Sequence, residues 1–255
     1  MTSTSGSDGR RDRYGVAGVL ARMQSRLDAL PPVLHKRAVF LKTYQRTTAA
    51  VGAAIDEGRF EDPDWVEHWD VVFAELYLNA HDAYVSGKGH VPRPWRLAFE
   101  SPDDLPELRH VLLGINAHVN YDLPQALLAV ISDEDFGDPV LMERRHRDHE
   151  RIDGVLAGRV AAEDDLLGAR PLLDRVLTPL NRLGTKRFLR EARRKVWHNT
   201  YELQMARVAG PAAHRNRLAE LELLSAAKIA DLLEPGQVIL RLAVAGFGVT
   251  LPPPG

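Results

Sequence analysis

The chain has 255 residues, 45% hydrophobic and 27% charged, with a formal net charge of −2 and no cysteine. Disulfides, thiolate metal sites and cysteine nucleophiles are thereby excluded. A general nucleic-acid or membrane-surface binder needs a clear basic excess, and neither partner is expected.

Residues 1–13 are rich in Ser, Gly, Asp and Arg, lack an apolar core, and read as a disordered lead-in rather than a secretory signal. Helical periodicity then dominates. A first helix is predicted over about Tyr14–Ala29, and Pro31-Pro32 separates it from a second ending near Gly58. Asp62-Pro63 opens a third, which should run to Ser86 and stop at Gly87. The stretch Gly87–Asp104, with Pro92, Pro94, Trp95 and Pro102, is predicted as a long irregular loop of the kind that acts as a lid. Further helices are predicted over about Leu105–Val130, Pro139–Val160 and Arg170–Val208, the last kinked at Pro179, and a seventh from Gly210-Pro211 to Glu234-Pro235-Gly236. Gln237–Gly246 fits a short helix or a strand equally, and residues 251–255 read as a frayed tail. The expected fold is all-α, one domain over residues 14–250 formed by a bundle of about seven helices. The longest apolar run, Val238–Leu251, is interrupted by Arg241 and two glycines. A bilayer needs about 20 residues, so a cytoplasmic protein is expected.

The polar residues within these helices carry the functional argument. At about 100° per residue, His68, Glu75, Asn79 and Asp82 of the third helix fall between two apolar rows, while Glu67, Asp70 and His81 point the other way, toward solvent. A buried stripe of this kind is either a paired polar network or the wall of a cavity, because an unpaired buried carboxylate costs several kcal/mol. In the fourth helix, His118 and Asp122 are four apart on a face that Val111, Ile115 and Val119 direct inward. They suit a shared metal ion, although Asp122 before Leu123-Pro124 also suits the cap of a new helix. His146, His149, Glu150 and Asp153 share a face of the fifth helix, and His198 and Glu202 form a further i, i+4 pair. Arg182, Lys186, Arg187, Arg190, Arg193, Arg194 and Lys195 form a basic run, either a solvated flank or an anion-binding wall.

The run Leu76-Tyr77-Leu78-Asn79-Ala80-His81-Asp82-Ala83 resembles an uncharacterised bacterial family, domain of unknown function 5995. So do Pro94-Trp95-Arg96, the stretch from Gly114 to Pro124 containing Asn116-Ala117-His118-Val119-Asn120-Tyr121-Asp122, and His146 with Asp148. The likeness covers roughly residues 15–210 and implies a helical fold without supplying an activity. Members of that family tend to have Asp where Asn79 stands and to lack an acid where Glu75 stands. A fainter similarity, to the zinc-dependent phospholipase C and single-strand nuclease fold, rests on His118, Asp122, Gln125, His198 and Glu202, and breaks at Ala126 and Leu128.

Three functions follow as expectations. In the first, the chain is a metal-dependent hydrolase or lyase. His118, Asp122, His146 and Asp82 hold a divalent ion (Zn, Mn or Fe), His149 or Glu75 moves protons, and Trp95, Arg96, Asn79 and Asn120 bind a small, anionic metabolite. In the second, a metal-free cyclase, lyase or isomerase uses buried acids and histidines as acid and base. In the third, a non-catalytic binding protein keeps these groups as internal networks.

Overall fold

The structure, a computed structural model, describes residues 15–31, 38–167, 179–236 and 246–254, with only the backbone path for 156–167 and 179–190. The predicted lead-in, the Gln237–Ala245 segment and most of the basic run lie outside the described side chains.

Among the described residues the chain is helical without strands: α1 (Val16–Ala29), α2 (Ala38–Asp56), α3 (Pro63–Ser86), α4 (Arg93–Phe99), α5 (Glu107–Ala117), a π-helical turn (His118–Asp122), α6 (Leu123–Val130), α7 (Asp133–Phe136), α8 (Pro139–Leu167), α9 (Pro179–Ala209) and α10 (Pro211–Leu233). The helix starts follow from local chemistry. Asp62 accepts a hydrogen bond from the Trp65 N–H, Pro63 occupies the first helical position, and Gly87 closes α3 in the left-handed region at φ 66°. The predicted start of the sixth helix at Arg170, and with it the kink at Pro179, lies outside the described residues, and α9 is first described at Pro179. The expected loop after Gly87 contains α4, which packs on α5 and α10. None of the described helices is long and apolar enough to cross a membrane.

The predicted fourth helix divides at His118. A proline inside a helix lacks an N–H and its ring crowds the carbonyl four residues back. Pro124 would crowd Asn120, and the chain responds by widening: the Leu123 N–H bonds the His118 carbonyl, five residues back. The Asp122 side chain makes no capping bond, so it is free to point inward. This segment, α5–π turn–α6, is the central strut. Its α6 lies between α3 and α9, its α5 meets α2 and α10, and the π turn touches α3, α9 and α10.

The helix at the other side of the core shows a different orientation from the one expected. The inward face of α3 is set by Trp65, Trp69, Phe73 and Tyr77, at four-residue spacing, with Val66, Ala74 and Leu78 beside them. Burying rings of this size stabilises the fold by about 2–3 kcal/mol each and outweighs the smaller Val and Leu rows. Consequently Asp70 and His81 are buried, whereas His68 and Asn79 are exposed and Glu75 and Asp82 half-exposed. Arg22 and Arg26 of α1 pair with the latter two, Arg22 with Glu75 at 2.5 Å and Arg26 with both Asp82 oxygens at 2.8 and 2.5 Å.

Candidate acid–base centre

The π turn brings His118 and Asp122 together: His118 Nδ1 lies 2.8 Å from Asp122 Oδ2, and both side chains are almost fully buried. From α4, Trp95 Nε1 donates to the same oxygen at 2.8 Å. An indole N–H only donates, so Oδ2 is an acceptor there. With Nδ1 protonated, that oxygen accepts twice and His118 Nε2 keeps its lone pair. Nε2 is buried without a hydrogen-bond partner.

Aromatic rings enclose this dyad. Phe73 stacks flat on the His118 ring at 3.5 Å between centroids, and Tyr44 meets its edge at 4.4 Å. Phe40, Tyr77 and Trp95 complete the box at about 6 Å. Gly114 makes room for Phe40, since a Cβ there would stand 2.3 Å from the ring. Beyond Tyr44 lies Asp70, whose charge acts on the phenol together with that of Asp122. The Tyr44, Tyr77 and Thr48 hydroxyls and Asp70 Oδ2 are buried without a well-formed hydrogen bond.

Desolvation dominates the electrostatics. Burial holds His118 well below the ordinary histidine value. It raises Asp122 well above the carboxylate range, the Trp95 hydrogen bond offsetting part of that rise. Burial, with nearby Glu67, lifts Asp70 to about 7. The Tyr44 phenol is raised by burial, then by Asp70 and Asp122, with Thr48 opposing. Burial keeps each of these groups toward its neutral form, and Asp70 is poised to titrate near neutrality.

The other expected site residues are distributed elsewhere. His149 is fully buried between Trp69 and Trp197, with ring centroids at 6.2 and 5.5 Å, and neither ring nitrogen has a partner. Trp69 and Phe73 stand in the row of rings that joins it to His118. His146 is half-exposed, 4.9 Å from the Trp197 ring and 3.9 Å from Glu150. Asp82 and Glu75 are engaged by α1, and Asn79 faces solvent. Among the described residues, three or more His, Asp and Glu side chains are nowhere gathered as a metal site. Trp95 is an inner wall bonded to Asp122 instead of an outer lid contact. Arg96 is exposed and lines a shallow cleft of about 380 Å³ with His90, Arg93 and Glu222. Asn120 points away from the dyad, its amide bonded to the backbone of Phe247 and Val249. His198 bonds the Leu251 carbonyl, and Glu202 pairs with Arg217, so the two do not pair with each other.

Tyr44, Asp70, Phe73 and Tyr77 belong to the centre but were not among the expected site residues. The signal for three of them was present in the four-residue spacing Trp65, Trp69, Phe73, Tyr77, which identifies the buried face and carries Asp70 with it.

Fold and centre together define a helical domain with a buried carboxylate–histidine pair in an aromatic box. A family model described as a family of unknown function (DUF5995) matches residues 16–235, and the chain belongs to that family. No curated protein and no solved structure matches it.

Proposed function

We propose that the chain is an enzyme that moves a proton on a small, largely apolar molecule, of the isomerase or lyase type, with His118 as the base. The observation that carries this reading is His118 itself, oriented through Nδ1 by Asp122 while Nε2 is left unpartnered among rings. A fixed tautomer with its free lone pair directed away from the orienting carboxylate is what a general base requires. Asp122 orients the imidazole through Oδ2, and Trp95 holds Asp122 in place. Tyr44 and Asp70 supply a phenol and an acid on the far side, suited to returning the proton. The substrate enters by displacement of α4. Glycines at 87 and 89, both at positive φ, precede that helix, and its outward swing removes the Trp95 wall.

Nitrogen-15 NMR of labelled histidines tests the proton assignment without a substrate. His118 should show the Nδ1–H form and stay neutral well below the ordinary histidine range; an Nε2–H tautomer removes the base. A metabolite extract incubated with the protein in D2O then identifies the substrate by deuterium uptake. That uptake should vanish in His118→Gln and survive chelators. No uptake, with His118→Gln merely lowering the melting temperature, leaves the dyad as an internal network.

A second reading keeps a divalent metal. A histidine fixed by a carboxylate through one nitrogen and free at the other also suits a metal ligand. Elemental analysis of untagged protein tests it. A stoichiometric ion lost in His118→Gln favours this reading over the first.

A further inference from the structure

The last described segment, Gly246–Pro254, is held in a way that differs from the rest of the chain. Asn120 Nδ2 donates to the Phe247 carbonyl at 3.1 Å, and Asn120 Oδ1 accepts the Val249 N–H at 3.3 Å. Asn199 repeats the pattern two residues on, donating to the Val249 carbonyl and accepting the Leu251 N–H, both at 2.9 Å. Lys195 donates to the Gly248 carbonyl at 3.2 Å, His198 lies 3.2 Å from the Leu251 carbonyl, and Arg217 bonds the Pro252 carbonyl. Polar side chains from the π turn, α9 and α10 thus bind only the backbone of this segment. The expected frayed tail is pinned through Pro252.

The backbone groups used by the two asparagines, the carbonyl of 247, both groups of 249 and the N–H of 251, lie along one edge of an extended strand. The side chains alternate accordingly: Phe247, Val249 and Leu251 are buried, and Thr250 is exposed. Val249 and Leu251 sit among Tyr121, Leu128, Leu203 and Leu221. Gly248 lies directly on α9, where a Cβ would stand 2.7 Å from Lys195 and 3.3 Å from the Ala192 backbone. An asparagine amide that gives one bond and takes another replaces a neighbouring strand, the means by which extended peptides are held without regard to sequence. Pockets at alternate positions then select side chains. The family match ends at residue 235, so the groove lies within the family domain and its occupant outside it.

We infer that the groove between the π turn, α9 and α10 is a binding site for extended peptides. Its ligands carry apolar residues at alternate positions, a glycine between the first two and a proline after the third, and residues 247–252 are its intramolecular ligand. Covalent linkage gives such a ligand an effective concentration on the order of millimolar, so a peptide in trans competes at a disadvantage until the strap is weakened.

The test uses the full chain and its Val249→Asp/Leu251→Asp variant, with a fluorescein-labelled peptide copying residues 246–255 read by anisotropy. Saturable binding to the variant, at least tenfold tighter than to the unaltered chain, is expected. A peptide with Thr250→Lys should bind as well as the parent peptide, and peptides with Leu251→Asp or Gly248→Val should not bind. A cooperatively folded variant that binds no peptide at millimolar concentration, or that binds all four peptides alike, overturns the inference. Should the variant fail to fold, hydrogen exchange on the unaltered chain decides. The Val249 and Leu251 amides must open before those of α6, and exchange only by global unfolding counts against a releasable ligand. A concentration-dependent dimer of the unaltered chain that the strap substitutions abolish supports the groove, with a second copy as the donor.

Discussion

His118 and His149 are buried to nearly the same depth and held by opposite means. His118 has a carboxylate on one nitrogen and stacks on Phe73, whereas among the described residues His149 has the indoles of Trp69 and Trp197 and an Arg193 bond to its backbone carbonyl. Desolvation lowers both well below the usual histidine value, and Arg193 and His146 lower His149 further. Aromatic contact is therefore sufficient to bury a neutral imidazole. The carboxylate beside His118 adds orientation, which burial does not need and proton transfer does. On the proposed reading, this difference is the reason for choosing His118 over His149 as the base.

The largest effect separates the two. Asp122→Ala strands the His118 and Trp95 nitrogens without an acceptor and should cost about 3–5 kcal/mol in urea unfolding. His149→Phe loses no side-chain hydrogen bond and should stay within about 1 kcal/mol. Equal costs would erase the distinction.

Next comes Asp70, which burial lifts from 3.8 to about 7. A carboxyl whose folded pKa is raised takes up protons more readily folded than unfolded, so its contribution falls as pH rises from about 4 to 7. Asp70→Asn removes that loss. Relative stability should move in the variant's favour by up to about 4 kcal/mol between pH 4 and pH 8, at 1.36 kcal/mol per pH unit, in melts across that range.

The histidines have the opposite sign. Their folded values are depressed, so the unfolded chain binds the extra protons and stability drops as pH falls below about 6.5, by up to about 1.4 kcal/mol per unit for each. His149→Phe should halve their joint slope in acid melts, and a slope unchanged by the substitution would mean that His149 charges in the folded state. The smallest effect belongs to the outward face of α3. Arg26 and Asp82 form a partly exposed pair, so Arg26→Ala should cost no more than about 1 kcal/mol in the same melts, less at high salt.

The all-α architecture and most helix ends were legible because they rest on local signals: Pro63 after Asp62, Gly87 after Ser86, Pro211 after Gly210. The His118–Asp122 contact was legible for the same reason, through i, i+4 spacing. What was not legible came from competition between faces. On α3 the aliphatic rows suggested one inward direction, and the larger rings imposed another, reversing Asp70 and Asp82. The role of Asn120 depends on a segment 127 residues away, which no local pattern discloses.

The chain's four tryptophans occupy three electrostatic settings. Trp95 touches Asp122, Trp69 and Trp197 flank His149, and Trp65 lies 4.8 Å beneath the Arg145 guanidinium. Indole emission shifts and quenches with nearby charge, so the unlabelled protein carries its own optical gauge. Single Trp→Phe replacements would resolve which charge changes, and when, as a ligand enters.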